Sequence, residues 1–127
     1  MLRALFSNNI YIKVYANRFV LRKLGDGARS VTVMADEPFT TERLLVGQFA
    51  VAEHLLKRGL TELVAGNWFA PSPVVVIHPL EKVEGGLSEV EERIFRELAA
   101  GAGARKVVLW LGRELSDAEA KQQAARA

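Results

Sequence analysis

The stretch Pro71-Ser72-Pro73-Val74-Val75-Val76-Ile77 decides the fold class of this chain. Its prolines force extended backbone ahead of an apolar, β-branched run that does not alternate with polar residues. Such a run is typical of a strand buried on both faces, as in the middle of a parallel sheet. Residues 106–111 (KVVLWL) form a second run of this kind. We therefore expect two parallel strands, each reached by a right-handed helical crossover.

Helical periodicity precedes each of these strands. An amphipathic stripe about 20 residues long predicts the first helix, with apolar positions Leu45, Phe49, Ala52, Leu56 and Leu63. Ser88 and Glu91 form a capping box that predicts the start of the second helix, with a buried stripe of Val90, Ile94 and Leu98. Ser116 and Glu119 predict a third helix. Because its apolar residues are only alanines, we expect residues 116–127 to be a frayed helical tail.

Residues 10–35 have the pattern of three antiparallel strands. Residues 10–15 alternate with the period of a half-buried strand. Ala16-Asn17 and Gly25-Asp26-Gly27 give two short turns, and strands are expected over residues 19–24 and 30–35. The predicted element order is β-β-β-α-β-α-β-α. We expect an α/β fold with a mixed five-stranded sheet, and residues 1–127 as a single domain.

Composition excludes several classes of protein. Apolar residues make up 50% of the 127 positions and charged residues 25%, as in a globular domain and unlike a disordered tail. The absence of cysteine excludes disulfides, a thiolate metal site and a thiol nucleophile. No apolar run approaches the roughly 20 residues of a membrane-spanning helix, so we expect a cytoplasmic protein. The net charge of +2 hides a basic excess in residues 1–30, either a solvated hairpin face or a surface for an anionic partner.

Four stretches resemble the MreB family of bacterial actins, specifically the first subdomain of its actin-like ATPase fold. Residues 5–12 (LFSNNIYI) resemble the family's MFSNDLSIDLG, and residues 69–76 (FAPSPVVV) resemble FMRPSPRVLVCVP. Residues 101–109 (GAGARKVVL) are similar to GAGAREVFLIEEP, and residues 49–56 (FAVAEHLL) more faintly to FFVTEKML. The resemblance implies a ribonuclease-H-like, actin-type sheet. Between Thr32 and Thr40 the family has a further small subdomain, which a short link replaces here.

The same resemblance implies that the nucleotide chemistry is lost. The family's phosphate loop DLGT matches Lys13-Val14-Tyr15-Ala16, which puts Lys13 in place of the acid and Tyr15 in place of the glycine. The acid of ADF matches Gln48, and the acidic pair of LIEEP matches Leu111 and Gly112. Metal-assisted phosphoryl transfer needs such carboxylates to hold Mg²⁺ and to orient the attacking water. The family's second phosphate loop and adenine pocket have no counterpart in the sequence. We therefore expect no cofactor, no metal and no enzymatic activity.

Histidines are the remaining candidates for catalysis. His54 lies on the first helix among charged neighbours, as a solvated surface residue would. His78 ends the central strand, where α/β folds often place active sites, and Glu81 follows it. This pair is either an acid–base site or a polar strand end. The sequence contains no GxSxG, HExxH or P-loop motif.

We accordingly expect a protein-interaction or structural module linked to bacterial cell shape or the cytoskeleton, with no nucleic-acid partner. Aromatic residues are favoured interface anchors, and the candidates for binding a partner or for self-association are Tyr15, Phe19, Trp68, Phe69 and Trp110. Ordinary core packing is the alternative for each of them. A second hypothesis is a membrane-surface adaptor at the inner face of the cell membrane. It would use the basic hairpin and an N-terminus whose apolar residues are Met1, Leu2, Leu5 and Phe6.

Overall fold

The computed structural model describes residues 9–25, 29–64 and 72–127. Within these ranges the elements follow one another along the chain as β1 (Ile10–Tyr15), β2 (Arg18–Lys23), β3 (Ser30–Met34), α1 (Phe49–Leu63), β4 (Val74–Pro79), α2 (Glu89–Gly101), β5 (Lys106–Leu109) and α3 (Asp117–Ala125). The predicted α/β class and mixed five-stranded sheet are confirmed.

The sheet has the order β3-β2-β1-β4-β5. β2 runs antiparallel to both β1 and β3, whereas β4 runs parallel to both β1 and β5. Ala16 and Asn17 form the two-residue turn between β1 and β2, with Asn17 at a φ of 56°. Asparagine tolerates this left-handed conformation better than most residues, which suits a two-residue hairpin turn. The carboxyl ends of the three parallel strands therefore meet at one end of the sheet.

Helices cover both faces of the sheet. α1 and α2 pack on one face over the main core, and Gly59 brings α1 close to the sheet. A Cβ there would lie 3.2 Å from both Leu21 on β2 and Val33 on β3. On the other face α3 buries Ala120 and Ala124 in a second apolar cluster that includes Tyr11. β4 is in contact with both layers, and each of its residues is buried, as predicted for a central strand.

α3 corrects the prediction of a frayed tail. Ser116 caps it as expected, in a capping box with Glu119. The alanines that made the segment look unstable in the sequence are the residues that let α3 lie close against the sheet, because larger side chains would hold it away. Through Ala120 and Ala124, α3 is thus part of the second core layer.

Three local predictions are also wrong. α1 begins at Phe49 and not near Leu45, because the backbone N–H groups of Gly47 and Gln48 both donate to the Phe39 carbonyl in a preceding loop. Val90 is 70% exposed, since it lies in the first turn of α2. The buried residues of that helix are Phe95, Leu98 and Ala99. β5 is an edge strand of four residues that are only partly buried or exposed, and not a doubly buried strand.

Candidate functional site

The candidate site lies at the carboxyl ends of β1 and β4, beside the loop that follows β5. Open α/β sheets usually bind ligands at this end. The residues of the candidate site are Lys13, Tyr15, His78, Glu81 and Glu114. The first two belong to β1, His78 to β4, and the two glutamates to the loops after β4 and β5.

Lys13 forms an ion pair with Glu114. Its Nζ lies 3.0 Å from Oε1 of Glu114, with 20% of the lysine side chain and 57% of the glutamate side chain exposed. The hydrogen bond and the charge of Lys13 hold the pKa of Glu114 below its usual range. An acid from a distant part of the chain thus balances the charge of Lys13.

The hairpin turn after β1 is held on one side by Glu81. The backbone N–H of Ala16 donates to Oε2 of Glu81 over 2.6 Å. Next to it, the backbone N–H of Leu80 donates to the Val14 carbonyl over 2.9 Å. A turn amide that points to the end of a sheet is a natural donor to an anion. Here the anion is a carboxylate of the chain itself.

On its other side the turn is held by the side chain of Asn17, which the sequence placed in the turn but did not identify as a site residue. Its Oδ1 accepts from the backbone N–H groups of Phe39 and Thr40, each over 2.9 Å. Its own backbone N–H donates to Oγ1 of Thr40 over 2.9 Å. Asparagine in a short turn was the available signal, but its partners lie more than twenty residues away in sequence. The turn is therefore fixed between the loop before α1 and the loop after β4.

His78 is fully buried in a chain of hydrogen bonds. The Leu115 backbone N–H donates to the Tyr11 hydroxyl over 3.1 Å, and this hydroxyl lies 2.7 Å from Nδ1 of His78. Nε2 of His78 lies 2.9 Å from the Gly112 carbonyl oxygen. A carbonyl only accepts, so Nε2 carries the proton and Nδ1 accepts from Tyr11. Burial lowers the pKa of His78 and favours this neutral form.

In the structure the His78 imidazole and the Glu81 carboxylate are hydrogen-bonded to different partners. Both ring nitrogens of His78 are bonded within the fold, one to Tyr11 and one to Gly112. Glu81 is bonded to the hairpin turn instead. The arrangement ties the loop after β5 to the middle of the sheet, which matches the polar strand-end alternative.

Of the other predicted residues, Phe19 fits the alternative of ordinary core packing. It is fully buried and stacks on Phe39 with ring centroids 4.8 Å apart, so it is a core residue and cannot anchor a partner. Tyr15 is half-buried, with the guanidinium of Arg18 4.1 Å from its ring centre. Trp110 is also half-buried, and its Nε1 donates to the Arg113 carbonyl over 2.9 Å.

Gln48 and Gly112 are the two further positions that the resemblance predicted to have lost an acid. Gln48 is exposed immediately before α1 and makes no side-chain capping bond. Gly112 has a φ of +128° and presents its carbonyl to His78. The remaining predicted residues, Trp68, Phe69, Met1, Leu2, Leu5 and Phe6, lie outside the described residues.

Basic residues of the hairpin are paired with the C-terminal segment. Arg22 binds Asp117 through two hydrogen bonds of 2.6 and 2.8 Å. Together with the Lys13–Glu114 pair, this contact cancels part of the positive charge that the sequence places in residues 1–30. Arg113 and Glu119 form another ion pair, and the pKa of Glu119 falls to about 2 through its hydrogen bonds with Arg113 and the backbone of Ser116.

Neither a metal centre nor a membrane span is present in the described part of the chain. No group of three or more histidine, aspartate or glutamate side chains there could hold a metal ion. No helix in residues 9–25, 29–64 or 72–127 combines the length and the apolar content needed to cross a bilayer.

Fold and site together define a small α/β domain that is compatible with an actin-like subdomain. No family model matches the chain. Over 102 residues it is 37% identical to the uncharacterized protein YjaA of Escherichia coli strain K12, an alignment that covers 76% of this chain and 78% of YjaA. The chain belongs to the YjaA family.

The likeness to MreB is confirmed in part. The chain is 37% identical over 65 residues to the cell shape-determining protein MreB of Haemophilus influenzae, and 35% identical over 65 residues to that of Escherichia coli strain K12. These alignments cover 51% of this chain but only 17% and 18% of the two MreB proteins. A distant MreB-like region therefore occupies about half of the chain.

Proposed function

We propose that this domain is a non-catalytic, actin-like module that works by binding protein, in the cell-shape or cytoskeletal system of a bacterium. The partial MreB similarity supports the assignment to a ribonuclease-H-like, actin-type fold. The mixed sheet, with three antiparallel strands followed by two parallel ones, agrees with it. The printed name of MreB, a cell shape-determining protein, suggests the process.

One observation carries the non-catalytic part of this proposal: the Glu81 carboxylate is hydrogen-bonded to the backbone of the hairpin turn. Its carboxylate accepts from the Ala16 N–H over 2.6 Å, at the position that corresponds to the phosphate loop of the resembled family. A phosphate group approaching this amide would meet the negative charge of Glu81, and the two would repel each other. The chain thus supplies its own anion where a nucleotide would need to bind.

The residues around the turn support the same conclusion. Mg²⁺ is held mainly by oxygen ligands, of which carboxylates are the usual charged ones. Lys13, Gln48 and Gly112 stand where the resemblance places acids, and Lys13 is neutralised by Glu114. These side chains provide no carboxylate for a metal–nucleotide complex. We therefore assign the exposed surface to self-association or to a protein partner.

Nucleotide binding tests this proposal directly. We expect titration of the full chain with Mg²⁺–ATP in a calorimeter to show no saturable heat, and phosphate release to stay at the level of buffer. The Glu81→Gln variant is the matched comparison, because it removes the competing charge while keeping the side-chain shape. Micromolar ATP affinity or measurable turnover by the native chain would contradict the proposal.

The cell-shape role needs a separate experiment in the host. We expect deletion of the gene to change cell width or length, and the native chain to restore it when expressed again. The Glu81→Gln variant should restore shape as well, since the proposed role needs no nucleotide. Normal shape in the deletion strain under all growth conditions would remove the assignment to this process.

A membrane-surface adaptor is the second candidate. The apolar N-terminal residues Met1, Leu2, Leu5 and Phe6 suggest it, but the pairing of Lys13 and Arg22 with acids weakens the basic surface that it would need. Co-sedimentation with vesicles that contain anionic lipid, with and without residues 1–6, separates the two. Binding that is lost on removal of residues 1–6 would favour the adaptor over the protein-binding module.

A further inference from the structure

We infer that two copies of this chain associate through the outer edge of β3, in antiparallel register about a two-fold axis at Thr32. This inference rests on the proposed interaction role and names both the surface and the partner. The argument starts from the position of β3 at the end of the sheet. Within residues 9–25, 29–64 and 72–127, no strand pairs with its outer side.

Backbone hydrogen bonds to β2 fix which groups of β3 face outward. The Lys23 N–H donates to the Arg29 carbonyl, and the Ala35 N–H donates to the Asn17 carbonyl. In an antiparallel pair, bonded and non-bonded residues alternate. The odd-numbered residues of β3 are therefore bonded to β2. The N–H and C=O groups of Ser30, Thr32 and Met34 point to the open edge.

This alternation selects one register for a symmetric pair. A two-fold axis makes edge strands antiparallel, and bonded pairs must join outward-facing residues of both copies. Only the arrangement with Thr32 opposite Thr32 of the second copy also places Ser30 opposite Met34, so all outward groups are used. The exposed side chain of Met34, 64% accessible in the single chain, is then covered in part.

The position of α1 is compatible with the same β3–β3 pairing, because the α1 helices of the two copies would not clash. Gly59 lies close to both Leu21 and Val33, so α1 runs above the gap between β2 and β3. Neighbouring strands are about 4.8 Å apart. Joining two sheets at β3 would thus place the two α1 helices about 10 Å apart, the usual distance of packed helices. The new interface would contain a helix pair as well as a strand pair.

Charge complementarity favours a second copy as the occupant. Beyond β3 a groove of about 460 Å³ lies between the strand end and α1, and Asp36 and Glu37 are among its lining residues, with Arg58 as the basic counterpart. In the register above, Arg29 of the second copy lies opposite Ala35. By alternation its side chain is on the face of the sheet that α1 covers. The guanidinium is then directed at the groove and its excess of carboxylates.

Engineered cysteines test the register. The native chain has no cysteine, so each new thiol is alone. Opposite bonded residues have Cα atoms about 5.5 Å apart, within the range that a disulfide spans. We expect Thr32→Cys chains to cross-link to each other under mild oxidation. Ser30→Cys chains should do so only when mixed with Met34→Cys chains, because two copies of position 30 would be about 13 Å apart. Equal cross-linking of Thr32→Cys and Ser30→Cys chains alone would overturn the register.

A charge exchange tests the partner. Sedimentation equilibrium of the native chain should show a reversible dimer of twice its 14.0 kDa mass. Arg29→Glu should weaken this dimer about tenfold, and so should the double change Asp36→Arg with Glu37→Arg. Mixing the two variants should restore native affinity, because the glutamate introduced in one chain then meets the arginines introduced in the other. Arg105→Glu, at the opposite edge of the sheet, is the control and should leave the dimer unchanged.

Two results would overturn the inference. One is a monomeric native chain at millimolar concentration, and the other is a dimer that the charge exchange and Thr32→Pro leave intact. Thr32→Pro removes an outward N–H without touching the bonds to β2. ATP binding would contradict the proposed non-catalytic role and would leave this dimer unaffected. The two proposals therefore fail independently.

Discussion

Removing the Tyr11 hydroxyl is the sharpest test of the buried hydrogen-bond chain. In Tyr11→Phe the ring keeps its place in the second apolar cluster, and only the oxygen is lost. That oxygen accepts from the Leu115 N–H over 3.1 Å and lies 2.7 Å from His78 Nδ1. Both partners are left buried and unsatisfied, at a cost of about 1–3 kcal/mol each. We therefore expect the free energy of unfolding to fall by roughly 2–6 kcal/mol.

Urea unfolding followed by circular dichroism measures this change. The midpoint should move to lower urea while the slope m stays constant, because the surface exposed on unfolding is the same. Tyr15→Phe is the matched control. Tyr15 is on the same strand but only half-buried, so Tyr15→Phe should change the free energy of unfolding by no more than about 0.5 kcal/mol.

The outcome that refutes the reasoning is equal stability of Tyr11→Phe and the native chain. It would mean that water or a rearranged loop satisfies His78 and Leu115 at no cost. A second reading comes from amide hydrogen exchange. The Leu115 amide should lose protection in Tyr11→Phe, and it should keep that protection in Tyr15→Phe.

Three further predictions follow from the same structure. Because burial lowers the pKa of His78, the unfolded chain takes up a proton near pH 6.5 while the folded chain does not. Below that pH the free energy of unfolding of the native chain should fall by up to about 1.4 kcal/mol per pH unit more than that of His78→Gln. Parallel pH profiles of the two chains would contradict this prediction. Gly59→Val should cost about 1–3 kcal/mol in urea unfolding, because its methyl groups would press on Leu21 and Val33; native stability would show that α1 can shift. Ser116→Ala should cost about 1 kcal/mol through loss of the α3 cap, with an unchanged melting temperature as the opposing result.

The fold was predictable where periodicity is strong. The unbroken apolar run at residues 74–77 correctly predicted a strand covered on both faces, and Ser88 with Glu91 correctly located the start of α2. The prediction was wrong where burial depends on position within the assembled layers. Val90 has the right spacing for a buried stripe but lies at the helix end, beyond the residues that pack. Ala120 and Ala124 look featureless in sequence because their role is close packing and not apolar bulk.

The candidate site was predictable only in part, for a physical reason. His78 and Glu81 could be located at a strand end from sequence order. Their bonds to Tyr11, Gly112 and Ala16 join residues that are between 34 and 67 positions apart. Contacts at such separation leave no periodic trace, because they depend on the register of strands that pair in space. Glu114 was missed for this reason, since its pairing with Lys13 spans 101 positions.

The link between β1 and the loop after β5 has a consequence for synthesis on the ribosome. β1 is among the first described segments to emerge from the ribosome. Its Tyr11 hydroxyl can accept the hydrogen bond from the Leu115 N–H only after that distant loop has been made. His78 likewise waits for the Gly112 carbonyl. A nascent chain that stops short of this loop would enclose unpaired polar groups if it collapsed early. These buried groups can therefore be satisfied only after the loop that follows β5 has emerged.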